Sequence, residues 1–248
     1  MHLCREHFEA DVHRKIREEL RKTGLFGPGS RIAIGLDGGR KSATLAFVLK
    51  NLFIARKNIE LLAVIIDEGK KTCPTAKQAV DVAEQLDIAY TIVSLPLLQD
   101  QEKPYIIRSA RKMGLLLLAA EENQAAILAT GETLDDEARD IFMSLLQGDA
   151  DAVISRVSLS KEQTAARIKP LRRIPEKEVR LYALGRHLGF DDAEEMPGTT
   201  ALCREAKRLL CDFDRRHPGT NYSLLRGLEK VRHMKVLTRA KPLSKDRK

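Results

Sequence analysis

Tryptophan is absent from the 248 residues, and aromatic side chains make up only 4% of them. That scarcity argues against a β-sandwich built on buried aromatics, and against base stacking as the main mode of binding single-stranded nucleic acid. Cysteine is sparse as well. Cys4, Cys73, Cys203 and Cys211 form no C-x-x-C pair, so neither a disulfide framework nor a complete zinc module can be written from them. A reducing, cytoplasmic setting is therefore expected. No stretch approaches the roughly 18 apolar residues of a membrane span, and the opening MHLCREHFEADVHRK is charged where an export signal is apolar. Neither export nor a membrane partner is expected.

What the chain has in excess is positive charge. Lys and Arg number 43 against 35 Asp and Glu, a formal net charge of +8, which makes a polyanion, RNA first, an expected partner. The length suits one large α/β domain with small appendages at its ends.

The chain is organised around RIAIGLDGGRKSATLAFVL, residues 31–49. An apolar run with the length of a buried parallel strand meets Gly38-Gly39 and passes into helical spacing from Ser42 onward. A strand, tight turn and helix in that order aim backbone N–H groups and a helix dipole at one point, which suits a phosphate.

Before this stretch, Phe8, Val12, Ile16 and Leu20 recur every four residues, the stripe of an amphipathic helix. Cys4 and His7 just ahead of it supply at most two zinc ligands. After it, the pattern predicts strands over 60–67, 89–95 and 125–130, and helices over 75–86, 104–122 and 137–146. The alternation implies a parallel sheet with right-handed crossovers and helices on both faces. The polar stretch 148–166 reads as a loop. Pro175 then opens a helix through Leu188, and further helices follow over 203–215 and 222–235. The expected layout is a helical segment 1–29, a nucleotide-binding domain 30–190, a helical C-terminal extension 191–238 and a basic disordered tail 239–248.

Two readings compete at the turn. Gly35 to Ser42 matches a Walker loop except for Arg40, which stands where a glycine lets the backbone wrap the β-phosphate; ELLAVIIDE, residues 60–68, even resembles the strand and acid that hold magnesium in such enzymes. Alternatively, DGGRKS at Asp37 to Ser42 resembles the S-G-G-x-D-S loop of the N-type ATP pyrophosphatases, the PP-loop superfamily. ATGETLDDEARDIFMSLLQGD, Ala129 to Asp149, is similar to the T-G-H-N-L-D-D-E-A segment of that superfamily's tRNA 2-thiolation enzymes, with Glu132-Thr133 in place of His-Asn. LCREHF at the start, IDEG at Ile66 to Gly69 and RIKPLRRIPEKEV at Arg167 to Val179 extend the likeness in order along most of the chain. The chain is identified as a divergent member of this family.

The resemblance implies an adenine nucleotide alpha hydrolase-like fold. It also implies a reaction in which ATP is cleaved to pyrophosphate, AMP is passed to a uracil oxygen of tRNA, and sulfur displaces the adenylate. Gly38, Gly39 and Ser42, with Asp37 and Arg40, would surround the phosphates. Asp67, Thr130, Gly131 and Asp135 would complete the ATP site, and Asp135-Asp136 would hold Mg²⁺. Asp136 and Lys41 are the candidate catalytic residues. A helix-capping role is the alternative for the Asp pair.

Departures from the family pattern set further expectations. The paired cysteines of the family fall on Tyr105 and Arg108, and its third cysteine near Met196. No iron–sulfur cluster and no complete zinc site are therefore expected. Lys41 stands for an acid and Asp37 for a hydroxyl, and Asp37, Arg40 and Lys41 are placed to pair with one another. Expected partners are tRNA and a sulfur-carrier protein, with a homodimer left open. A non-catalytic paralogue gripping tRNA through basic residues 167–186 and 203–235 is the alternative. Cys73, in the loop after the second strand, and Cys203 leave open a relocated catalytic thiol.

Overall fold

The computed structural model describes residues 4–27, 29–56, 58–69, 75–95, 105–149, 165–186, 188 and 201–240. The chain divides into two compact units, Met1–Thr133 with Leu159–Thr200, and Leu134–Ser158 with Ala201–Lys248.

The first unit is built on a parallel sheet. Its described elements are α1 (Arg5–Thr23), β1 (Ser30–Gly35), α2 (Arg40–Phe53), β2 (Ile59–Asp67), α3 (Thr75–Gln85), β3 (Ala89–Ser94), α4 (Tyr105–Glu122), β4 (Ile127–Ala129), β5 (Ala166–Ile168) and α6 (Glu176–Gly185); α5 lies in the second unit. The strands run in the order β3-β2-β1-β4-β5, and every pairing is parallel. β1 is central because it can be buried on both faces. Ile32 and Ile34 enter one core with α1, α2, α3 and α6, while Ala33 enters a second with Leu117 and Ala120 of α4. That two-sided burial is why the strand reads as an unbroken apolar run and not as an alternation.

α1 closes on this unit through charge and one buried hydroxyl. Val12, Ile16 and Leu20 face the core, Lys15 Nζ lies 2.9 Å from Glu178 and Arg173 Nε 2.8 Å from Glu19. His13 Nε2 lies 2.7 Å from the Tyr182 hydroxyl. Burial pushes that phenol up to about 12. It also pushes His13 down, helped by the nearby charges of Arg17 and Arg186.

The second unit contains α5 (Leu134–Leu146), α7 (Ala201–Arg216) and α8 (Thr220–Ala240). Leu134, Ile141, Leu225 and Leu228 form its small core. Asp214 Oδ1 accepts from the N–H groups of Gly219, at 3.1 Å, and Asn221, at 3.3 Å, and so fixes the turn between α7 and α8.

The structure corrects two expectations. Residues 166–168 form an unexpected edge strand on β4, in register Ala129↔Ile168, which overlaps the expected loop 148–166 only at Ala166. α5 begins at Leu134, three residues before the expected start, which puts Asp135, Asp136 and Glu137 in its first turn, where the helix dipole favours acids. Within the second unit, the buried residues Leu134 and Ile141 of α5 pack on Leu225 and Leu228. The stretches 150–164 and 241–248 lie outside the described residues.

Ile34 is fully buried, so Ile34→Ala is expected to lower unfolding free energy by about 2–5 kcal/mol in urea denaturation. A loss below about 1 kcal/mol would contradict the close packing of β1 between its two cores.

Candidate functional site

In a sheet of this order the chain leaves β1 toward one side, through β2 and β3, and returns to the other through β4 and β5. The crevice outside the carboxyl ends of β1 and β4 is the topological switch point, where open α/β sheets bind their ligands. Here both flanking loops meet. A Cβ on Gly131, after β4, would stand 3.1 Å from Ser42 N and 3.2 Å from Lys41 C, in the first turn of α2. Glycine lets the two backbones approach this closely without a Cβ to crowd them.

The loop between β1 and α2 is shaped by its glycines and closed by its first residue. Gly38 has φ +76°, and Gly39 is the N-cap of α2 without a side-chain cap. Asp37 Oδ1 accepts from Gly39 N at 2.9 Å and, at shorter range, from the buried Ser42 hydroxyl, while Asp37 N approaches Ser42 Oγ at 3.3 Å. Ser42 Oγ is also 3.1 Å from the Gly39 carbonyl. Asp37 is thus folded into its own loop. Lys41 reaches toward the start of α6, with Nζ 3.5 Å from Glu176 Oε1.

The other expected residues are placed as follows. Asp67 ends β2, on the same carboxyl edge, and its Oδ1 accepts from Gly69 N at 2.9 Å. Thr130 follows β4; its N–H donates to the Ile168 carbonyl at 3.0 Å, and its hydroxyl accepts from Arg167 Nε at 3.2 Å. Asp135 and Asp136 belong to the second unit. There Asp135 Oδ1 accepts from Asn221 Nδ2 at 3.3 Å, and Asp136 Oδ1 from Arg139 Nη1 at 3.1 Å. Burial alone would lower Arg139, but Asp136 and Asp140 more than offset it and hold the guanidinium above its usual range.

Two functional candidates escaped sequence reasoning. Arg167, from the overlooked β5, forms a short ion pair with Glu132. Burial would raise the Glu132 carboxyl, but the charges of Arg167 and Lys169 outweigh it and hold the group below the ordinary range. Glu132 Oε2 is buried without a hydrogen-bond partner. The one signal in the sequence is the departure itself, an acid in the T-G-H-N segment that calls for a cation elsewhere.

Comparison with known proteins matches residues 8–195 to the PP-loop domain. The chain belongs to the PP-loop family. It is 32% identical to the tRNA 2-thiolation protein NcsA of Haloferax volcanii, over 93% of this chain and 81% of that protein. Its identity to the Cytoplasmic tRNA 2-thiolation protein 1 of Aspergillus niger is 29%, over 94% and 73% respectively. Among solved structures, the U34-tRNA thiolase NcsA from Methanococcus maripaludis with its [4Fe-4S] cluster superposes with a TM-score of 0.84, at 27% identity, over 93% of this chain and 80% of that one.

That last likeness corrects the expectation that a cluster is foreign to this PP-loop protein, since a chain of closely similar fold carries one. Of the positions compared with the family's cysteines, Tyr105 and Arg108 lie on α4 with side chains outside the described set, and Met196 lies outside it altogether, as does Cys73, the candidate relocated thiol. Cys203 and Cys211 sit eight residues apart on α7, roughly 12 Å along the helix axis, too far to bind one cluster. Among the described residues no three metal-ligating side chains gather. Cys4 Sγ lies 2.8 Å from His7 Nδ1. No helix among the described residues is long and apolar enough to cross a membrane.

Arg167→Met removes the cation that keeps Glu132 ionised. It is expected to cost roughly 1–3 kcal/mol at pH 7, less than a fully buried pair because the two side chains retain 31% and 25% exposure. Glu132 titrates below its ordinary 4.5 when folded, so its contribution is present above that pH and lost as pH falls through the folded value. The deficit measured by urea denaturation should shrink below pH 4.5, and a pH-independent deficit would show that packing, not charge, was lost.

Proposed function

We propose that this chain binds ATP at the Asp37–Ser42 loop and adenylates a uridine of tRNA for sulfur insertion, in a cytoplasmic setting. The observation that carries the reading is the seating of Gly131 on the first turn of α2. It brings the loop after β1 and the loop after β4 together at the switch point, where a nucleotide lies across the carboxyl edge. The relatives named for tRNA 2-thiolation support the substrate class.

In this reading the Gly39 N–H, the Ser42 hydroxyl and the positive end of α2 hold phosphate oxygens. Lys41 sits in that same first turn, placed to offset charge on the leaving pyrophosphate. Asp67 and Thr130 stand at the neighbouring strand ends, toward the nucleoside part. Mg²⁺ would take Asp135 and Asp136, hard oxygen ligands of the kind it prefers. The buried Asn221 Oδ1 has no hydrogen-bond partner while its Nδ2 donates to Asp135, so a further oxygen stands in the same unit. When bound, such an ion would supply positive charge to offset that of a phosphate.

A second reading, a non-catalytic scaffold for tRNA, is favoured by one observation: the two donors of the loop are already engaged by Asp37. The readings separate on pyrophosphate release from ATP and Mg²⁺ in the presence of tRNA. The enzyme should release it in a tRNA-dependent way, with losses on the order of tenfold or more in Ser42→Ala and Asp136→Ala. No release, together with tRNA binding that weakens steeply with salt, would leave only the scaffold.

A further inference from the structure

The loop contains its own anion. One oxygen of Asp37 accepts from both Gly39 N–H and Ser42 O–H, the two groups that a phosphate oxygen would take. The fit is tight enough that a Cβ on Gly39 would stand 3.1 Å from that oxygen. The same position in the S-G-G-x-D-S pattern is a hydroxyl, which carries no charge to compete with a ligand.

We propose that the Asp37 carboxylate is the resident anion of the loop and the residue that determines its affinity and specificity for phosphate, so that a nucleotide enters only by displacing it. This rests on the reading of the loop as a nucleotide site. A carboxylate oxygen and a phosphate oxygen are anionic acceptors of the same kind, and they cannot share the two donors at hydrogen-bonding distance. Displacement is local, because Asp37 is exposed and turns into solvent by a change of rotamer, with no movement of β1 or α2. Apparent affinity falls by the fraction of molecules in which the donors are open. Ligands with a single phosphate and few other contacts are excluded most. A nucleoside triphosphate, which adds contacts along the strand ends, pushes the carboxylate aside.

Calorimetric titration of the full chain with ATP and Mg²⁺ tests this. Asp37→Ser should bind about tenfold more tightly than the natural chain, with Asp37→Asn between them, since the amide still accepts from Gly39 but carries no charge. Equal or weaker binding by Asp37→Ser would overturn the proposal. A readout without nucleotide keeps the two ideas apart: amide hydrogen exchange at Gly39, followed by NMR, should accelerate about tenfold in Asp37→Ala. Unchanged exchange at Gly39 would overturn the proposal as well. If neither the natural chain nor Asp37→Ser binds ATP, the nucleotide reading fails, and Gly39 exchange alone decides whether the carboxylate holds the donors.

Discussion

The close approach of Gly131 to the first turn of α2 is the constraint on which the site depends. A side chain there would meet backbone at 3.1 Å, and α2 would have to give by a few tenths of an ångström. α2 cannot shift cheaply, because Ala43, Leu45, Ala46, Val48 and Leu49 are all buried in the main core. The geometry at the switch point is therefore inherited from packing along the whole length of β1 and α2. The loop residues only decorate it.

Charge is handled pair by pair around that edge. Glu132 is matched by Arg167, Glu176 by Lys41 and Glu68 by Lys112. Behind it Arg173 and Arg186 meet Glu19 and Glu9 of α1. Of the basic stretch 167–186, Arg167, Arg173 and Arg186 meet carboxylates of their own unit. In the second unit, Arg204, Lys207, Arg208, Arg216, Arg226 and Lys230 are exposed on α7 and α8. The loop itself draws on oriented N–H groups and a helix dipole, and its net field depends on where the Asp37 carboxylate points.

The fold was legible wherever burial left a local trace. β1, β2 and α4 are apolar over stretches long enough to declare their period, and Gly38-Gly39 announced the turn. β5 left no such trace. It is three residues long, has Arg167 at its centre and is paired along one edge only, so it reads as loop. The start of α5 was obscured because Glu132-Thr133 follows a strand directly and the acids of its first turn resemble loop composition. Pairings across long separations, Glu132 with Arg167 or Lys41 with Glu176, have no signature in a single chain. The expectation about iron–sulfur chemistry rested on non-thiol residues, Tyr105, Arg108 and Met196, at the positions aligned with the family's cysteines, and the likeness to a cluster-bearing NcsA contradicts it.

By itself the sequence determined the class of fold, the position of the glycine turn after β1 and the family. Each of these is encoded by short-range features: hydrophobic period, glycines that permit a turn, and motifs in order along the chain. Only the tertiary structure decided what the charged residues of the loop do. Asp37 turns inward onto Gly39 and Ser42, and Lys41 turns outward toward Glu176. The reason is physical. A side chain's partner is set by which elements the sheet order brings alongside it, and β4, β5 and α6 reach the loop only after about 85 residues or more of chain have folded back beside β1.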